Sequence, residues 1–152
     1  MLCILLTLPK RESGGKYKNF YLLEETEDNE LLALSFKGTK ENAAGVSLYL
    51  SSFLSKNGIE ESRANRIAVA VEEMAANCAE RMEGKKKFAD IDIRIFADKD
   101  ETIISVRDNG DEFDPLNDDK EFEMSPLTVV KAISDKVEYS RVLGFNRTII
   151  KL

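Results

Sequence analysis

Histidine is absent from all 152 residues. That excludes His-ligated zinc, a Ser-His or Cys-His nucleophile pair, and a phospho-accepting histidine on this chain. Any general base it uses is something other than imidazole. Cysteine is scarce: Cys3 and Cys78 stand far apart with no CxxC spacing, so neither a zinc knuckle nor a disulfide framework is expected. A reduced, cytoplasmic chain is the plain reading. Positive charge is in deficit. A net charge of -6 and a pI near 4.9 repel phosphate backbones and anionic membranes, so nucleic acid is not an expected partner. Long apolar runs are missing too. LCILLTL, residues 2–8, is too short to span a bilayer, and the KRESGG after it lacks a small-residue cleavage site. An apolar run followed by Lys10, Arg11, Lys16 and Lys18 is still how the end of a membrane span and its cytoplasmic flank read. Two readings stay open there: an ordinary N-terminal strand, or the cytoplasmic stub of a longer, membrane-anchored parent.

What is present suits one folded domain. Hydrophobic residues make up 43% and charged residues 33%, a globular balance rather than a disordered one. We expect a stub or linker over residues 1–19, including Ser13-Gly14-Gly15, and a single domain over 20–152. Residues 20–23 and 31–36 are β-prone runs around the acidic turn ETEDNE, which predicts a hairpin. From Thr39, a fitting N-cap, the apolar positions Ala43, Val46, Leu50, Phe53 and Leu54 recur at helical spacing until Asn57-Gly58. A second helix is expected over residues 61–83, with Ile67, Ala70, Val71, Met74, Ala75, Cys78 and Met82 on one side and Gly84 as its stop. FADIDIRIFA, residues 88–97, alternates as a strand; Ile103, Ile104 and Val106 mark the next strand after a turn at Asp98, Lys99 and Asp100. Pro126 opens a short helix, and residues 137–142 pair with 148–152 across Gly144. There is no internal repeat and no low-complexity segment. The order predicts a two-layer α/β (α+β) sandwich, with a mixed, mainly antiparallel sheet covered on one face by helices.

Two stretches carry candidate chemistry. In EEMAANC, residues 72–78, Glu73 and Asn77 share a helix face one turn apart. Glu73 can serve as a general base, and Asn77 offers a carbonyl oxygen suited to hard Mg²⁺. The same spacing also occurs on solvated helix faces. In VRDNGDEFDP, residues 106–115, Asp108 ends an apolar strand and Gly110 follows. A carboxylate there can accept from an exocyclic amine, and glycine lets a planar ring approach the backbone. The alternative is a tight turn, for which DNG is good chemistry. The stretch is acidic enough for a calcium loop but lacks the alternation of an EF-hand and its closing Glu.

Taken in order, Glu-x-x-x-Asn on a helix, Asp-x-Gly-x-x-Phe-Asp-Pro two strands later, and a closing hairpin with Gly144-x-x-x-Thr148 resemble the gyrase, heat-shock chaperone, histidine-kinase and MutL ATPases (the GHKL or Bergerat superfamily). Within it the chain is most similar to the serine-kinase anti-sigma factors, over residues 31–152. The resemblance implies ATP and Mg²⁺ as cofactors. Asn77 would ligate Mg²⁺, Glu73 would orient or deprotonate the acceptor, Asp108 would hold the adenine amine, Gly110 would pack near the ring, and Thr148 would lie on the adenine side. It also implies a serine/threonine-protein kinase whose partners are an antagonist protein with a target serine, a sigma factor, and a second copy of the chain. The apolar positions Leu48, Leu50, Phe53 and Leu54 suit such contacts or the core.

One motif departs from the family. Where a G-x-G-L pair should wrap the phosphates, this chain has Met124 and Pro126. Pro126 has no N–H to donate, and Met124 adds bulk where backbone must approach closely. Asp118, Asp119, Glu121 and Glu123 line that loop against a single Lys120, a hostile surface for a triphosphate. Arg81, one turn beyond Asn77, is placed to compensate as a further cofactor contact; Lys85, Lys86 and Lys87 suit a solvated turn. Two functions follow: an ATP-binding regulatory kinase domain, or a catalytically degenerate protein-binding module of the same fold.

Overall fold

Thr39 begins the first helix as its pattern predicts. Its hydroxyl accepts from the Asn42 N–H at 3.0 Å, and the Asn42 amide donates to the Lys37 carbonyl at 2.9 Å, tying the helix start to the strand before it. The computed structural model describes residues 5–7, 20–23, 30–97, 100–117 and 126–152. Among these the order is β1 (Leu5–Thr7), β2 (Phe20–Leu23), β3 (Glu30–Lys37), α1 (Lys40–Lys56), α2 (Glu61–Arg81), β4 (Asp90–Ala97) and β5 (Thr102–Asp108). A short 3-10 turn (Pro115–Asn117), α3 (Pro126–Ile133), β6 (Lys136–Val142) and β7 (Phe145–Lys151) complete it. The Ser13-Gly14-Gly15 linker, the turn at 24–29, the turn residues Asp98 and Lys99, and the loop at 118–125 with Lys120 and Met124 lie outside the described residues.

The strands form one sheet in the order β1-β2-β3-β4-β5-β7-β6. The α+β sandwich is as expected, but the sheet has no mixed part among the described residues: all six pairings are antiparallel. The reason is topological. Two helices between β3 and β4 reverse the strand sense, so these neighbours pair antiparallel. One helix between β5 and β6 would leave them parallel, and β7 inserts between them, antiparallel to both.

Alternation puts Ile91, Ile93 and Ile95 of β4, Ile104 and Val106 of β5, and Ile150 of β7 on one buried face. α2 packs between α1 and α3 over that face. Its buried side is rich in alanine (Ala64, Ala68, Ala70, Ala75), which lets the helix axis approach the sheet closely. Leu50 and Leu54 of α1 belong to this core, Phe53 packs against it, and Leu48 stays 55% exposed. Burying one such Leu or Ile contributes about 2 kcal/mol.

Three boundaries differ most from expectation. β7 starts at Phe145 rather than 148, because the two-residue turn at Leu143 and Gly144 lets the ladder begin at once with Val142 opposite Phe145. α2 stops at Arg81 rather than at 83, because the chain tightens into turns, with Glu83 N–H on the Glu80 carbonyl, before Gly84 at φ 80°. β4 starts at Asp90, leaving Phe88 outside the ladder and 60% exposed. The last hairpin turns on Leu143 and Gly144, both at positive φ (51° and 82°), the backbone of a two-residue primed turn. No helix among the described residues is long and apolar enough to cross a membrane.

Candidate functional site

The inward-facing rows of this sheet are apolar in the middle, and apart from Thr102 at the far end of β5 their buried polar residues gather at one end. There the pattern of β5 ends on Asp108, buried to 5% exposure, and β7 begins with Asn146 directly across from it. Thr148, also buried, follows two residues along β7 and pairs with Val106 rather than Asp108. The final turns of α2 lie over this polar end. Glu73, Asn77 and Arg81 recur every fourth residue and so form one stripe along the helix.

Each oxygen of Asp108 has distinct partners. Oδ1 accepts from the Gly110 N–H at 2.9 Å and from Asn146 Nδ2 at 3.0 Å. Oδ2 faces α2 and pairs with Arg81 Nη2 at 3.3 Å. Arg81 also donates from Nε to Asn77 Oδ1 at 2.9 Å and from Nη1 to the Asp111 carbonyl at 3.1 Å. Its guanidinium lies 4.6 Å from the centre of the Phe113 ring. One planar cation thus spans the two residues that the sequence analysis assigns to metal and to base. Asn77 and Asp108, from different elements, both come within reach of that single guanidinium.

Behind Asp108 stands a network that the sequence analysis missed. Asn146 Nδ2 also donates to the Asp111 carbonyl at 2.7 Å, and Asn146 Oδ1 accepts from Tyr139 Oη at 2.7 Å and Arg141 Nη1 at 2.9 Å. The Phe113 N–H reaches the same oxygen at 3.2 Å. These contacts fix the carboxylate plane and hold the loop after β5 against β6 and β7. The signal was present in FNRTII: an asparagine at an inward-facing strand position must find partners. The loop residues behave as expected of structural ones. Phe113 and Pro115 turn inward, Asp114 Oδ1 accepts from the Leu116 N–H at 2.8 Å, and exposed Asp111 pairs with Lys85.

Gly110 is buried, and a Cβ there would meet Asp108 Oδ1 at 3.0 Å and Met82 Sδ at 3.4 Å. The protein's own packing therefore favours glycine here, with its N–H on Asp108 Oδ1. Cys78 lies beneath the same carboxylate. Burial, then the Asp108 charge, pushes its thiol up to about 12, against a smaller opposing pull from Arg81. It is a neutral, buried thiol at pH 7 that hydrogen-bonds the Asp108 side chain. Glu73 is half-buried, and its pKa is raised, first by desolvation and then by Glu72 and Glu80. A carboxyl shifted this way is a better proton acceptor than an exposed one.

A family model for the histidine kinase-like ATPase domain matches residues 36–152. The chain belongs to that family. The match takes in every site residue described above and leaves out β1 and β2. Membership in the histidine kinase-like ATPase family supports an ATP-binding regulatory domain, and the α+β sandwich is consistent with it. No curated protein matches the chain.

Proposed function

We propose that this chain is an adenine-nucleotide-binding regulatory domain of the anti-sigma factor kinase type, with ATP as its ligand and a protein as its target. Asp108 carries the reading. Its Oδ1 is saturated by Gly110 and Asn146, while Oδ2 faces α2, where it pairs with Arg81 Nη2 at 3.3 Å. An oxygen so presented suits the exocyclic amine of a purine, with Thr148 on the same inward row for the adenine side.

Mg²⁺, when bound, neutralises phosphate charge. Asn77 Oδ1 is a hard neutral oxygen of the kind that fits it, once Arg81 Nε releases that atom. Glu73, one turn earlier and made more basic by burial, takes the proton from the hydroxyl of an acceptor serine. The acceptor belongs to an antagonist protein. A sigma factor and a second copy of the chain are further partners, and exposed Leu48 on α1 is available to such contacts. The setting is the cytoplasm, or the cytoplasmic side of a membrane-anchored parent.

A second reading, a protein-binding module that no longer turns nucleotide over, is favoured by one observation: Arg81 bridges Asn77 and Asp108. Calorimetric titration with ATP and ADP, each with and without Mg²⁺, separates the two. The kinase reading expects ATP binding that Mg²⁺ strengthens and that Asn77→Ala makes indifferent to Mg²⁺. Equal affinities for ATP and ADP regardless of Mg²⁺ would leave the second reading. No binding of either would remove the adenine site altogether.

A further inference from the structure

Arg81 makes the contacts that a purine bearing an amine would make. It is planar, it stacks 4.6 Å from the Phe113 ring centre, and it places an N–H on Asp108 Oδ2, the oxygen not held by Gly110 and Asn146. It is also the last residue of α2. The chain beyond it leaves the helix through Met82 (φ -93°, ψ 0°) and Gly84 (φ 80°), so no following helical turn confines the arginine stem. The side chain can swing away without unwinding the helix.

We infer that Arg81 is an internal occupant of the base site and that it sets ligand selectivity. A ligand must bring both an N–H donor for Asp108 and an anionic group for the displaced guanidinium. The inference rests on the adenine reading of Asp108. Its logic is charge conservation at the site. A neutral nucleoside replaces the hydrogen bond to Oδ2 but leaves Arg81 without its carboxylate, and Asp111, whose carbonyl Arg81 also reaches, has its own carboxylate paired with Lys85. A nucleotide restores an anion to the guanidinium as it removes one. The arginine therefore excludes nucleosides and bare bases while admitting phosphorylated ones.

The test is titration calorimetry of adenosine and of ADP, without Mg²⁺, into the wild-type chain, Arg81→Ala and Arg81→Lys. If the site is filled by its own arginine in at least about nine molecules in ten, removing the occupant tightens adenosine binding at least about 10-fold. ADP should gain less or weaken, because it loses the cation as it gains the space. Arg81→Lys keeps the charge but cannot span Asn77 and Asp108 together, so it should tighten adenosine and retain ADP; it decides the question if the alanine variant fails to fold. Wild-type binding of ADP with adenosine affinity unchanged or weakened in both variants would overturn the inference and leave the adenine reading intact. Failure of all three proteins to bind either ligand would overturn that reading, and the inference with it.

Discussion

Replacing Asp108 by asparagine should destabilise the fold far more than a surface carboxamide swap would, and the geometry says by how much. The new side chain can keep its oxygen toward the Gly110 N–H and Asn146 Nδ2, but its amide then points hydrogens at Arg81. The lost pair is 3.3 Å long, between side chains 15% and 6% exposed. At an effective dielectric constant of about 20 its Coulomb energy is about 5 kcal/mol, most of which desolvation cancels. Removing one partner of such a pair leaves an uncompensated charge and costs about 3 kcal/mol. For a chain of this size that is a fall in Tm of about 6–12 °C. Arg81→Met keeps the stem on Phe113 and leaves Asp108 with two donors, so it should cost less, about 2 kcal/mol. In the double variant neither charge remains to be stranded. Urea unfolding of the four proteins should therefore give a coupling energy of about 1.5 kcal/mol. Coupling below about 0.5 kcal/mol, or an Asp108→Asn chain as stable as wild type, would refute the pairing as an energetic element of the site.

Three further outcomes are expected. Leu143 is 92% exposed at φ 51°, a backbone that costs a branched residue about 1 kcal/mol, so Leu143→Asn should raise Tm by about 2–4 °C in a melting experiment. Cys78, with a thiol near 12, should react with iodoacetamide at pH 8 at least about 1,000-fold more slowly in the folded Cys3→Ser chain than after unfolding in urea; rapid labelling of the native chain would contradict its burial. Burial and the two neighbouring carboxylates raise the pKa of Glu73, so the folded state binds this proton more tightly than the unfolded one. Its contribution to stability is fully present below the ordinary carboxylate range and is lost as pH rises through the raised folded value. Glu73→Gln should then be the more stable protein at pH 7, with its advantage gone below about pH 4; a pH-independent difference in Tm would show that no titration at Glu73 is involved.

Much of this could be read in the sequence because periodicity is a property of single elements. Alternating isoleucines fixed the inward face of β4, and the four-residue spacing of Glu73, Asn77 and Arg81 put them on one stripe. What escaped depends on how elements meet. The pairing of Arg81 with Asp108 was not legible from its spacing, because that direction is set by where the end of β5 passes under the end of α2. Asn146 was missed because the closing strand was expected only from residue 148, whereas β7 begins at Phe145. The packing of Gly110 against Asp108 and Met82, which also favours glycine, depends on the end of α2 meeting the loop after β5 and was not legible locally. The parallel component expected of the sheet failed for a topological reason, the insertion of β7 between β5 and β6, that no local pattern encodes.

The most direct test of the central claim compares ADP with inosine diphosphate by calorimetry. The two share sugar and phosphates and differ where the amine donor becomes a carbonyl oxygen. If Asp108 Oδ2 receives the base, that oxygen faces a carboxylate, and inosine diphosphate should bind at least about 100-fold more weakly, with the difference largely erased in Asp108→Asn. Equal affinities of the wild-type chain for the two diphosphates would contradict the assignment of Asp108 as the base-reading residue.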